Sequence, residues 1–242
     1  MEGLKEALEY VVGMDEPHII THDGETYSDK PLKRISYVPY ATAIKVTTLS
    51  SLVDYIKSGI DSMHGRMIVQ VVSPELVRFY SELDADRERE SIMDVQAQIP
   101  SFSFDTYLEK EKFIIGLQSK FLDDPETDKE LVLKFAGTVE AGSVAEYGDD
   151  GVTQKASIKT GIASKSDAIV PNPVVLRPFR TFVEVEQPKS DFIFRMKQDK
   201  YDGIACAIFE ADGGAWKNAA MANIKAYLEF ELAEYDYITI IA

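Results

Sequence analysis

The amino-acid sequence predicts an α+β fold: a mixed, mainly antiparallel sheet with an αα-hairpin in the middle of the chain and a long C-terminal helix. Three observations predict it. Apolar residues recur at helical spacing in separate windows, and short β-rich runs bounded by Gly, Pro and Asp-Gly lie between them. With 242 residues, 45% of them hydrophobic and 28% charged, the chain can bury a core and is too apolar for a disordered tail.

Leu4, Ala7, Leu8 and Val11 open the chain as a short amphipathic helix ended by Gly13. Asp23-Gly24 lies between Ile19-Ile20-Thr21 and Glu25-Thr26-Tyr27, the pattern of a tight hairpin with a primed turn. A strand over 43–46 leads to the cap Thr47-Thr48 and a helix with Leu49, Leu52, Val53 and Ile56 on one face, closed by Gly59. Residues 66–72 form a β-rich run, and 75–80 with 90–98 read as a hairpin around the polar tip Asp84-Ala85-Asp86-Arg87.

After Pro100, Asp105 is expected to begin a helix with Tyr107, Ile114, Leu117 and Phe121 on one face. Asp124-Pro125 is expected to cap a second, carrying Leu131, Val132, Phe135 and Val139. Together they make the αα-hairpin. From Tyr147-Gly148-Asp149-Asp150-Gly151 the period changes to two over 152–160, and Pro171, Pro173 and Pro178 punctuate the β-prone stretch that follows. Strands are expected at 181–185, 192–196 and 203–209. Asp212-Gly213-Gly214 then turns the chain into a helix with Trp216, Ala220, Ile224 and Leu228 in line, and 237–241 is a final strand. The domain reading is an N-terminal α+β region over 1–100 and a helical hairpin plus β-rich region over 101–242, with one compact domain as the alternative.

The net charge of −15 makes a protein that wraps duplex DNA with most of its surface an unfavoured reading, because phosphate binding needs clustered cations. Residues 1–139 carry 15 basic and 25 acidic side chains, 140–200 nine and nine, and 201–242 two and seven. The middle of the chain is therefore where a positive face is easiest to build. The N-terminal residues lack the pattern of a secretory signal, and no run approaches the roughly 20 apolar residues of a membrane helix, so a cytosolic protein without membrane association is expected. The single cysteine, Cys206, lies in an apolar run and reads as a buried thiol.

Phosphate-loop, dinucleotide, nucleophile-elbow, zinc-protease and paired Cys-x-x-Cys motifs are absent, so no catalytic residue and no cofactor are assigned. The ligand-binding candidates are Lys155, Lys159, Arg177, Arg180 and Arg195, with Lys165 nearby. They are interleaved with Phe179, Phe182, Phe192 and Phe194, a pairing of cations and rings that can hold phosphates and stack bases. Alternation on a half-buried strand produces the same pattern without function. Asp84, Asp86, Glu88 and Glu90 are weak candidates for a hard cation, against the reading of a solvated hairpin tip; no metal is assigned. His18 and His22 beside Asp23 share a strand spacing that metals use, against the reading of surface or partner-bonded hairpin histidines, with His64 unplaced. Glu184 and Glu186 would share a strand face and could serve as acid and base, an alternation that any half-buried strand also shows. Trp216 reads as core, with Trp216→Ala expected to cost about 3–5 kcal/mol, and Arg180→Ala within about 1 kcal/mol if Arg180 serves binding.

The phrases Phe113 to Phe121, Tyr147-Gly148-Asp149-Asp150-Gly151-Val152, Lys159-Thr160-Gly161-Ile162-Ala163, Arg177-Pro178-Phe179-Arg180-Thr181-Phe182 and Phe209 to Trp216 carry a resemblance. Over residues 100–232 the chain resembles the YfdQ-like proteins of tailed phages and prophages, domain of unknown function family 2303. The resemblance implies a phage or prophage origin and action in the bacterial host cytoplasm, and brings no catalytic residue with it. Three functional classes follow as expectations. The first is a non-enzymatic, homo-oligomeric accessory protein that binds a host factor or a small anionic, nucleotide-like ligand, to counter host defence or to assist replication and recombination. The second is a self-assembling shell or virion-associated protein. The third is a metal-dependent nuclease or phosphodiesterase built on the 84–90 carboxylates.

Overall fold

A computed structural model describes residues 2–13, 17–30, 40–63, 65–145, 155–159, 165–198 and 203–242. By its contacts the chain divides into two units, 1–40 and 41–242. In the first, α1 (Glu2–Gly13) precedes a hairpin of β1 (Ile19–His22) and β2 (Glu25–Ser28). Asp23 and Gly24 both take positive φ, 52° and 81°, as a primed turn requires.

The second unit opens with β3 (Ile44–Val46) and α2 (Leu49–Ser58). The Thr48 side chain accepts from Ser51 N at 3.2 Å, and Gly59 ends the helix at φ 58°, where a side chain would be strained. Strands β4 (Met67–Ser73), β5 (Leu76–Ser81) and β6 (Ser91–Gln96) follow, and the last strand of the chain, β14 (Ile238–Ile241), joins them. The sheet order is β14-β4-β5-β6-β3, with β14 parallel to β4, β3 parallel to β6 and the other neighbours antiparallel. Its period-two face buries Met67, Val69, Val71, Val77, Phe79, Met93 and Val95 against Leu49, Leu52, Val53 and Ile56 of α2. Ile224 and Leu228 of α5 (Ala215–Glu231) complete that core, together with Phe182, Val185 and Leu232. Residues from both sides of position 100 thus share one core.

The second core lies between a helical hairpin and a four-stranded antiparallel sheet. The hairpin is α3 (Lys110–Lys120) and α4 (Lys129–Thr138); the sheet order is β11 (Val174–Leu176), β12 (Ser190–Gln198), β13 (Ile204–Glu210), β7 (Leu108–Glu109). Phe113, Leu117, Val132, Phe135 and Ala136 meet Phe192, Phe194, Met196, Ile204, Cys206 and Ile208. A third sheet has β9 (Lys155–Lys159) between β8 (Val139–Ala145) and β10 (Lys165–Ile169). The α+β class, the αα-hairpin and the long C-terminal helix are those the sequence predicts.

Four local expectations are corrected. The first hairpin helix begins at Lys110 rather than Asp105, because Asp105 is tied to β13: its N–H donates to Ile208 O and its Oδ1 accepts from Glu210 N. Asp124-Pro125 forms a turn, not the cap of α4; Thr127 N donates to Asp124 O, and α4 starts at Lys129. Leu131 is exposed, while Val132 and Phe135 are buried. Residues 181–185 form a turn instead of a strand: Val185 N donates to Phe182 O, and Phe182 and Val185 are buried with Val183 exposed between them. The 147–154 and 160–164 stretches and His64 lie outside the described residues.

Candidate functional site

Arg177 and Arg180 leave the end of β11 and turn onto carboxylates of their own chain. Arg177 donates from Nη1 to Asp124 Oδ2 at 2.9 Å, from Nε to Gln187 O at 2.6 Å, and from Nη2 to Glu186. Lys189 joins the same network, 3.5 Å from Asp124 Oδ2 and bonded to Glu126. The backbone N–H of Glu126, with Lys189 and Arg177 behind it, outweighs burial and holds the Asp124 carboxyl below its ordinary range.

Arg180 is 5% exposed. Its Nη1 donates to Glu210 Oε1 at 2.6 Å and its Nη2 to the Ser190 hydroxyl. The guanidinium lies 4.0 Å from the Trp216 ring centre, 5.5 Å from that of Phe192 and 5.7 Å from that of Phe104. Desolvation pushes the guanidinium's pKa down, and the charges of Glu210 and Asp212 oppose that shift. Burial acts against the Asp212 carboxylate, yet the Ser190 hydroxyl, the N–H groups of Gly214 and Trp216, and Arg180 keep its pKa low. Among the described residues Arg180 Nε, Trp216 Nε1 and Asp212 Oδ2 are buried without a hydrogen-bond partner. The facing π surface gives the cation its compensation. Chemically this is a desolvated cation locked between rings and acids, with none of the reach that phosphate capture needs.

Arg195 is half-buried on β12, opposite Ala207, and has a partner of its own. Lys155 and Lys159 terminate β9, where Lys159 is paired in register with Lys165 of β10. The structure brings Arg177 and Arg180 into one neighbourhood and distributes Arg195, Lys155 and Lys159 over other strands.

The acidic tip is organised by its backbone. Asp84 Oδ1 accepts from Asp86 N at 2.8 Å and Glu88 N at 2.9 Å, and Glu90 Oε1 accepts from Ala41 N at 2.7 Å. Among the described residues no group of three or more His, Cys, Asp or Glu side chains is placed to hold a metal ion. His22 and Asp23 form an exposed pair at 3.5 Å. Glu184 and Glu186 do not share a strand face: Glu184 accepts from Ser50 N in the first turn of α2 at 3.4 Å, and Glu186 serves Arg177. Cys206 is fully buried, and desolvation lifts its thiol to about 12, which leaves it inert as a nucleophile.

A cavity among the described residues lies elsewhere. It measures about 270 Å³ and sits at the starts of β3, β4 and β6 and the end of β5, lined among others by Tyr55, Asp61, Met63, Met67, Glu90 and Ile92. Tyr55 donates its hydroxyl to Asp61 Oδ2 at 2.6 Å. Sequence reasoning touched only Glu90 of these. The lining comes from separate segments, each reading as ordinary helix end, loop or strand start. Lys129 was also missed: it is buried at 4% exposure and donates to Phe121 O and Asp123 Oδ1, closing the end of α3.

No protein-family model, curated protein or solved structure matches the chain. Among the described residues no helix is long and apolar enough to cross a membrane.

Proposed function

We propose that this chain is a non-enzymatic, homo-oligomeric accessory protein of a phage or prophage, of the YfdQ-like kind, that acts in the bacterial host cytoplasm by binding a host factor to counter defence or aid replication and recombination. One observation carries the choice of a protein factor over a nucleotide-like anion. Arg177, and Arg180 with its facing aromatic rings, are occupied by Asp124, Glu186 and Glu210 of the same chain. With the net charge at −15, the field offered to a partner is negative, which favours a basic protein surface and repels phosphates. The self-association part of the reading draws on β14, an edge strand whose Ile-Thr-Ile-Ile run carries neither charge nor proline to discourage pairing.

Immobilised protein is exposed to bacterial lysate, and retained proteins and small molecules are identified by mass spectrometry at low and high salt. The expected result is a host protein held saturably and released by salt. Retention of a nucleotide instead, or of nothing, overturns the reading. Light scattering at micromolar concentration is expected to give a small multiple of the 27.1 kDa chain; a monomer removes the oligomeric part, and an open-ended assembly points to a shell.

A further inference from the structure

The cavity at the head of the five-stranded sheet is chemically one-sided. Ile44, Met63, Met67 and Ile92 supply an apolar wall, and the ionisable groups facing it are the carboxylates of Asp61 and Glu90 and the phenol of Tyr55. Among the described lining residues none is Lys, Arg or His. The nearby Arg89 guanidinium is committed to Ser81 O at 2.9 Å and to the Tyr80 ring at 5.6 Å.

Both carboxylates line the cavity that Tyr55 also lines. Burial first, then the hydrogen bond and charge of Asp61, then the charge of Glu90 push the Tyr55 phenol up to about 12. Asp61 uses Oδ2 for Tyr55 and Glu90 uses Oε1 for Ala41 N; among the described residues the second oxygen of each makes no hydrogen bond. Two anions held around an apolar-walled space repel phosphates and carboxylates and attract a cation that also carries methylenes. The volume of about 270 Å³ lies just under the roughly 300 Å³ at which pockets for drug-sized ligands begin. It suits a single alkyl chain with a charged head.

We propose that this cavity is a binding site for an organic cation, an alkylammonium or alkylguanidinium group seated between Asp61 and Glu90 with its methylenes on Met63, Met67, Ile44 and Ile92. The group has two possible sources, a free amine or a Lys or Arg side chain of a partner protein. The site goes beyond the host-factor reading and does not depend on it.

The test uses the full chain labelled with ¹³C at its methionine methyls, titrated with butylammonium, ethylguanidinium and, as the anionic control of similar size, butyrate. Met63 and Met67 are expected to shift saturably with one or both cations and not with butyrate. Asp61→Asn and Glu90→Gln keep an acceptor for Tyr55 O–H and Ala41 N–H, so the fold is retained, and each is expected to weaken binding roughly tenfold or more through loss of one charge-assisted contact. A capped Gly-Ser peptide with one central Arg separates the sources: binding assigns the site to a partner's side chain, and binding of the free cations alone assigns it to a small amine. Absence of a saturable shift with either cation, an equal shift with butyrate, or unchanged affinity in both variants overturns the proposal. If a variant melts early, the comparison of cations with butyrate on the unaltered chain decides. A lysate experiment that captures nothing leaves this result standing, so the two readings fail separately.

Discussion

Arg180 and Trp216 show how one residue's environment changes its meaning. At 4.0 Å from the indole and with Glu210 as counter-ion, Arg180 ties the loop after β11 to the start of α5. Trp216→Ala is expected to lose about 3–5 kcal/mol, as for any buried large aromatic. Arg180→Ala now carries a larger expected cost than a binding arginine would. It should fall near the lower end of the roughly 3–5 kcal/mol for breaking a buried pair, because Glu210 is 31% exposed and can rehydrate. A double-mutant cycle by denaturant titration should show a coupling of roughly 1–2 kcal/mol between the two; additive losses would mean that the stacking contributes nothing. The same cluster has an acid signature. Asp212 has a native pKa below the ordinary 3.8, so its stabilising contribution is present above that value and is lost as pH falls through the native one. Melting temperatures followed from pH 6 downward should therefore fall more steeply below about pH 4 in the unaltered protein than in Asp212→Asn. Parallel curves would show that the carboxylate's charge plays no part. Trp216 was legible because its spacing to Ala220, Ile224 and Leu228 is a property of one helix. The burial of Arg180 was not, since Glu210, Ser190 and Phe104 reach it from segments that local periodicity cannot connect.

Elements were readable where a local signal set both their type and their end. Thr48 and Gly59 bracket α2, Asp23-Gly24 turns the first hairpin, and alternation marks β4, β5 and β6. Residues 181–185 misled because Thr-Phe-Val-Glu-Val alternates like a strand and is β-branched. What replaces the missing ladder is one side chain. Gln187 Oε1 accepts from Arg180 N at 3.0 Å and Thr181 N at 3.2 Å, and its Nε2 donates to Phe182 O at 2.8 Å and Val185 O at 3.3 Å. A glutamine that satisfies the backbone of a buried turn releases that turn from needing a neighbouring strand. Gln187→Ala should cost about 2–4 kcal/mol, since it strands buried amides at about 1–3 kcal/mol each. Hydrogen exchange should accelerate first at the Arg180 and Thr181 amides. If exchange there is unchanged, the turn is held by Phe182 and Val185 packing and not by the amide. Asp105, expected to begin a helix, and Asp124, expected to cap one, both spend their groups on distant partners, β13 and Arg177.

At the scale of the molecule, the order of the chain and the order of the sheets disagree, and that disagreement decides how it unfolds. A boundary near residue 100 would leave β4, β5 and β6 without β14, which pairs Ile238 with Met67 and Ile240 with Val69 in parallel. It would also remove Phe182, Val185, Ile224, Leu228 and Leu232 from the core under α2. The second core meets the first through short links: Thr181 donates its hydroxyl to Pro74 O at 2.6 Å, and Arg180 one residue earlier holds Glu210 at the end of β13. An intermediate with one core formed and the other melted would leave Arg180 buried without its acid partners, which is costly in a low-dielectric setting. Residues 41–242 are therefore expected to melt as one cooperative unit. Calorimetry on a chain begun at residue 41, whose cores start only at Leu49, should give a single transition with equal calorimetric and van't Hoff enthalpies. Fragments 1–100 and 101–242 prepared separately should each show non-cooperative melting and bind hydrophobic dye, because each lacks strands or core residues that the other holds. Two resolved transitions, or a fragment that melts sharply alone, would establish that residue 100 is a true boundary and that Thr181 and Arg180 merely decorate the contact between two independent domains.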